Sequence, residues 1–147
     1  MQNEGISAKE MDDVLNRKSG LLGVSGVSSD CREVIDAANA GNDRARLALD
    51  MLIHYTKKII GSYVAEMNGV DVIVFTAGIG ENDRWLRERI TADMEALGVK
   101  IDCEINNTCP RGQATDLSAS DARVHTMVIP TDEEYMIALD TLSLVNA

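Results

Sequence analysis

The stretch Val70-Asp71-Val72-Ile73-Val74-Phe75-Thr76-Ala77-Gly78-Ile79-Gly80-Glu81-Asn82 carries the reading of the fold. Val70 to Thr76 is a β-branched run too apolar to be half exposed, which predicts a central strand. Ala77 to Asn82 reads as a glycine-containing turn, and Asp83 to about Leu97 as a helix closed by Gly98. Strand, glycine turn and helix in succession gather free backbone N–H groups and the positive end of a helix dipole at one spot. Gly78 and Gly80 have no Cβ there to keep nucleotide atoms away. The motif is neither Gly-x-Gly-x-x-Gly nor Gly-x-x-x-x-Gly-Lys-[Ser/Thr], so neither of those binding modes applies. A tight strand-to-helix turn without a ligand is the alternative reading of the same residues.

Upstream, Ser7-Ala8-Lys9-Glu10 is a capping box opening a helix with Met11, Val14 and Leu15 as its apolar stripe, ending before Gly20. Lys18 to Val27 holds three glycines among apolar residues and predicts tight turns and close backbone approach instead of regular structure. Asp30, with Glu33 three residues on, starts a second helix through Val34, Ile35 and Ala38. From Asn42 to Met67 the apolar spacing of Leu49, Leu52, Ile53, Ile59, Ile60, Tyr63, Val64 and Met67 predicts a long amphipathic helix, ended by Asn68-Gly69.

Downstream, the polar segment Asp102 to Asp121 reads as a mobile loop or a short hairpin, and Val124 to Ile129 as a second strand. Thr131-Asp132-Glu133-Glu134 then caps a last helix through Met136, Ile137, Leu139 and Leu142.

With 147 residues, 45% of them hydrophobic and 26% charged, the chain is expected to fold as one globular unit. Aromatic residues make up only 3%, which suits helices on a sheet built from Leu, Ile, Val, Ala and Met, hence a mixed α/β domain. A formal net charge of −10 argues against nucleic acid or an anionic membrane as partner. No apolar run approaches the length of about 18 residues that a spanning helix needs, and Met1-Gln2-Asn3-Glu4 lacks a signal-peptide layout, so a soluble cytoplasmic protein is expected. Cys31, Cys103 and Cys109 are odd in number and hold no Cys-x-x-Cys, which suggests neither a disulfide framework nor a zinc site.

Several other residues carry two readings each. Asp30 and Arg32 can hold a ribose hydroxyl and a phosphate at a helix start, or serve as a cap and a solvated side chain. If Thr131 is the N-cap, Glu134 closes its capping box and Glu133 is left free to serve magnesium; otherwise Glu133 is a favourable charge at a helix N-terminus. Arg84, Arg87 and Arg89, alternating with Glu88, read as a solvated face. His54 and His125 read as packed or surface histidines, and Trp85 as core or interface.

Taken together, four segments resemble the acetate kinase family. They are Leu15 to Gly26, Ser28 to Arg32, Val74 to Asn82 with Arg87-Glu88-Arg89, and Val128 to Glu134. The resemblance implies the ribonuclease H-like, actin-like ATPase fold of acetate and sugar kinases, Hsp70 and actin, with this chain (1–147) as the C-terminal nucleotide-binding and dimerisation domain. It implies that Asp30, Cys31 and Arg32 border the ATP site, that Gly78, Ile79, Gly80, Glu81 and Asn82 lie beside the adenosine, and that Glu133 helps to hold Mg²⁺. It also implies a cytosolic homodimer acting on ATP and acetate. Cys31 and Asp132 depart from the residues commoner in the family, Met and Asn. Family members are roughly two to three times longer, more than one domain by length. Their acid-binding and charge-clamping Arg, His and Asp residues lie in the N-terminal part, so no catalytic residue is assigned and the chain alone is expected to be inactive. A propionate kinase, or a non-catalytic nucleotide-binding or dimerisation module, is the alternative.

Overall fold

The computed structural model describes residues 5–145; the reading of Met1-Gln2-Asn3-Glu4 lies outside them. The contacts gather in two compact units, one ending at Tyr63 and one beginning at Val64, where bulk composition had suggested one.

The first unit is helical. α1 (Ala8–Arg17) starts on the expected capping box: Ser7 Oγ accepts from Glu10 N–H at 3.2 Å, and the Glu10 carboxylate accepts from Ser7 N–H at 2.9 Å. α2 (Gly20–Ser25) replaces the turns expected of the glycine-rich stretch. Close approach is nevertheless the reason for one of its glycines, because a Cβ on Gly23 would stand 2.8 Å from the Lys18 carbonyl oxygen. Gly26, left-handed at φ 68°, ends the helix. α3 (Cys31–Asn39) buries Cys31, Val34 and Ala38, and α4 (Asp43–Glu66) buries Ala45, Ala48, Leu49 and Ile53, a stripe at helical spacing. The stripe is less covered in the second half of α4, where Ile59 and Tyr63 are exposed, as is Met67 just past its end.

The second unit holds the sheet. β1 (Val72–Phe75) is followed by two helices, α5 (Ala77–Asn82) and α6 (Arg84–Thr91). The single helix expected over Asp83 to Leu97 breaks at left-handed Asp93 and resumes as one 3₁₀ turn, Glu95–Leu97, before Gly98. The supposed loop after Asp102 opens as α7 (Cys103–Thr108), because the Asp102 carboxylate accepts from Glu104 and Ile105 N–H at 2.9 and 3.0 Å. It ends in the short hairpin partner β2 (Thr115–Asp116), then β3 (His125–Val128) and α8 (Glu133–Val145) follow.

The strand order is β1-β3-β2, with β1 parallel and β2 antiparallel to β3. β3 is therefore central and β1 an edge, contrary to the expectation for the Val70 run. Among the described residues one face of β1 is only partly covered, with Val72 and Val74 42% and 45% exposed. Phe75, Leu86, Ile90, Met94, Val99, Leu117, Val124 and Val128 form the core of this unit. α8 buries none of its residues.

Candidate functional site

Because β1 and β3 run parallel in register, Val72 opposite His125 through Phe75 opposite Val128, both strands release their chains at the same end. In open α/β sheets ligands sit beyond the carboxyl ends of the strands. The glycine turn follows β1 there, and the Thr131 to Glu134 acidic start of α8 follows β3. Four hydrogen bonds carry the pairing past the strand ends. Ile129 N–H donates to Phe75 O at 3.0 Å, and the Thr76 hydroxyl donates to Ile129 O at 2.8 Å. One oxygen of Glu81, Oε1, then accepts from both the backbone N–H and the hydroxyl of Thr131, at 2.8 and 3.1 Å. Two segments fifty residues apart in sequence thus meet at one rim.

The glycine turn is helical, not open: α5 begins at Ala77, a non-glycine residue in the left-handed region at φ 57°, a conformation costing about 1–2 kcal/mol for an L-residue. Its two glycines have different reasons. A Cβ on Gly80 would lie 3.2 Å from the Phe75 carbonyl carbon, so Gly80 lets the turn pack on β1. A Cβ on Gly78 would meet nothing within 4 Å, and Gly78 is exposed. The chain's own packing does not require glycine at 78. Ile79 and Asn82 are exposed beside it, and Asn82 Nδ2 donates to Gly78 O at 2.9 Å.

Arg87 underlies this turn. Far from lying on a solvated face, it is 1% exposed. Its Nη1 donates to the carbonyl oxygens of Gly80 and Glu81 at 2.9 and 2.8 Å, and its Nε to Asn106 Oδ1 at 2.9 Å. Burial pushes its pKa down, yet a guanidinium stays charged in proteins. Asn106, itself fully buried, donates to Arg84 O at 3.0 Å, and Arg84 donates to the carbonyl oxygens of Asn107 and Cys109. Of the three arginines that sequence placed in solvent, two hold backbone carbonyls. The available signal was position: one helical turn after a glycine turn, a guanidinium can reach back to its carbonyls.

At α8 the capping differs from the expected box. The helix starts at Glu133, and Asp132 Oδ1 accepts from Tyr135 N–H at 3.1 Å, so Asp132 is the cap. Thr131 is committed to Glu81, and Glu134 closes no box. Glu133 is exposed and has no hydrogen-bond or ion partner among the described residues.

Asp30, Cys31 and Arg32 form a cluster of their own in the first unit. Asp30 caps α3, accepting from Arg32 N–H at 2.9 Å, and also binds the Arg32 guanidinium at 3.0 Å (Nε) and 2.6 Å (Nη2). The Arg32 side chain, as hydrogen-bond donor, holds the Asp30 carboxyl down at about 2. Cys31 is buried. His125, read as a packed or surface histidine, is exposed, with Nδ1 2.7 Å from Asp116 Oδ2 across the hairpin.

Comparison with known proteins identifies the family. The acetate kinase of Moorella thermoacetica is 56% identical over 147 residues, all of this chain and 36% of that protein. The chain therefore spans about a third of the length of the curated relatives it matches. A crystal structure of Porphyromonas gingivalis acetate kinase superposes with a TM-score of 0.87 at 48% identity, covering 99% of this chain and 36% of that one. A propionate kinase structure from Francisella tularensis superposes at 0.82 with 38% identity, covering 93% and 34%. The fold is accordingly the α/β type of the actin-like ATPases expected from the sequence. The model of the acetokinase family matches residues 1–139, nearly the whole chain, and the chain belongs to that family.

Proposed function

We propose that this chain is the C-terminal nucleotide-binding and dimerisation portion of an enzyme that transfers a phosphoryl group reversibly between ATP and acetate, giving acetyl phosphate and ADP. The observation that carries the proposal is the meeting of the glycine turn and the acidic start of α8 beyond two parallel strands, in a chain of the acetokinase family.

On this reading Gly78, Ile79, Gly80, Glu81 and Asn82 border the adenosine, Gly78 by leaving open space and Gly80 and Glu81 through backbone held by Arg87. The assignment of Asp30, Cys31 and Arg32 to nucleotide contact rests on the family resemblance; Arg32 has to exchange Asp30 for a phosphate to make it.

Among the described residues no cluster of three or more His, Cys, Asp or Glu is arranged to cage a metal. The free carboxylate of Glu133 nevertheless fits Mg²⁺, which is commonly held by one or two carboxylates plus substrate phosphates and water. Bound there, Mg²⁺ supplies neutralisation of phosphate charge, the main demand of phosphoryl transfer beyond positioning. This chain's own residues orient the nucleotide and hold the turn rigid; the acetate pocket and the remaining cationic groups belong to the rest of the enzyme. The chain alone is proposed to be inactive, to work as part of a cytoplasmic homodimer, and to need its N-terminal domain. The apolar Ile137, Leu142 and Leu144, exposed on α8, suit such partners. No helix among the described residues is long and apolar enough to cross a membrane.

Calorimetric titration of Mg·ATP tests the reading. Saturable binding that Gly78→Val abolishes is expected; binding unchanged by that substitution removes Gly78 from the site. A second reading, propionate as acceptor, is favoured by the Francisella neighbour. Comparing acetate and propionate turnover by the complete enzyme, with acyl phosphate trapped as hydroxamate, separates the two.

A further inference from the structure

We infer that Glu81 is a positioning residue whose side chain fastens the glycine turn to the start of α8, so that Glu133 is held where the turn's ligand needs it. The inference rests on the nucleotide reading above and adds a link between its two halves.

Glu81 is fixed at both ends. Its backbone carbonyl accepts from buried Arg87 at 2.8 Å, and its Oε1 accepts both donors of Thr131. With two donors on it, Oε1 is committed to Thr131, and only Oε2 is left open. Hydrogen bonds to an ionised acceptor are about twice as strong as neutral ones. Thr131 lies one residue before the Asp132 cap and two before Glu133, and its N–H stands outside the helix ladder. Glu81 therefore sets the position from which α8, and with it Glu133, departs. Glu81 is half-buried, whereas every residue from Thr131 through Asp140 is exposed, so the link stands between an anchored turn and an otherwise uncovered helix start. A direct contact of the Glu81 side chain with nucleotide is the competing role, and it predicts different results.

Two measurements on Glu81→Ala, Glu81→Gln and Glu133→Ala in the 147-residue chain decide the matter. The first is hydrogen exchange without ligand. Glu81→Ala is expected to speed exchange about tenfold at residues 131–136, the worth of one charge-assisted hydrogen bond. Glu81→Gln, which keeps an acceptor oxygen at the same place, is expected to restore most of the protection. Unchanged exchange at 131–136 in Glu81→Ala overturns the inference. The second is ATP affinity with and without Mg²⁺. Glu81→Ala is expected to lose most of the magnesium enhancement, as Glu133→Ala does. Equal weakening with and without Mg²⁺ makes Glu81 a direct nucleotide contact and also overturns it. If the unsubstituted chain binds no ATP, the nucleotide reading is what suffers, and exchange, which needs no ligand, still rules on the strut.

Discussion

Arg87 Nη1 holds the carbonyl oxygen of Glu81 at 2.8 Å from a position only 1% exposed. A buried cation is tolerated when its donors are filled, and here Gly80, Glu81 and Asn106 fill three of them. Replacing Arg87 with Met leaves those acceptors without their donor, at a cost of about 3 kcal/mol. Arg87→Lys is expected to recover little, because an ammonium lacks the planar fork. Urea unfolding followed through Trp85, the chain's one tryptophan and a residue of the same helix, measures both.

The two glycines of the turn are expected to separate stability from binding. Gly80→Ala places a methyl 3.2 Å from the Phe75 backbone and should destabilise the second unit, by about 1–2 kcal/mol as overpacking does. Gly78→Ala meets nothing and should leave the melting temperature close to that of the unsubstituted chain while weakening Mg·ATP. A melting temperature lowered by Gly78→Ala and spared by Gly80→Ala contradicts the packing described.

Asp30 predicts a pH effect whose sign is settled by its pKa. The folded value, about 2 with Arg32 as the cause, lies below the ordinary value, near 3.9 for an unfolded aspartate. Ionised Asp30 therefore adds stability above the unfolded value, and that stability is lost as pH falls through about 2. Arg32→Ala should raise the titration midpoint of the Asp30 carboxyl, read by NMR; an unmoved midpoint means the pair is absent in solution.

Asp132 and Glu134 test which residue caps α8. Asp132→Ala removes the acceptor of Tyr135 N–H and should cost about 1 kcal/mol of helix stability. Glu134→Ala, which breaks no capping bond, should leave helicity by circular dichroism nearly unchanged. The reverse order of effects would restore the Thr131 box.

Local features were legible in sequence when their partners lie within one turn. The Ser7–Glu10 box, the Asp30 cap, α4 and the β3 strand all depend on spacings of two to four residues or on a run of β-branched residues, and all four form. Glycine was the less faithful guide: Gly23 sits inside a helix, and Gly78 and Gly80 in a helical turn. The same absence of Cβ that permits a sharp turn also permits close packing of a helix, and spacing does not distinguish them.

By itself the sequence determined the family, the longer helices and the two parallel strands, and it singled out the two segments proposed to face a nucleotide and a cation. Tertiary structure alone decided that Arg87 is buried, that Thr131 binds Glu81 and leaves capping to Asp132, and that β1 is an edge. The reason is the range of the forces involved. Periodicity and capping are set by neighbours along the chain. The cost of desolvating a guanidinium is offset only by acceptors that folding brings to it, such as Asn106, nineteen residues away.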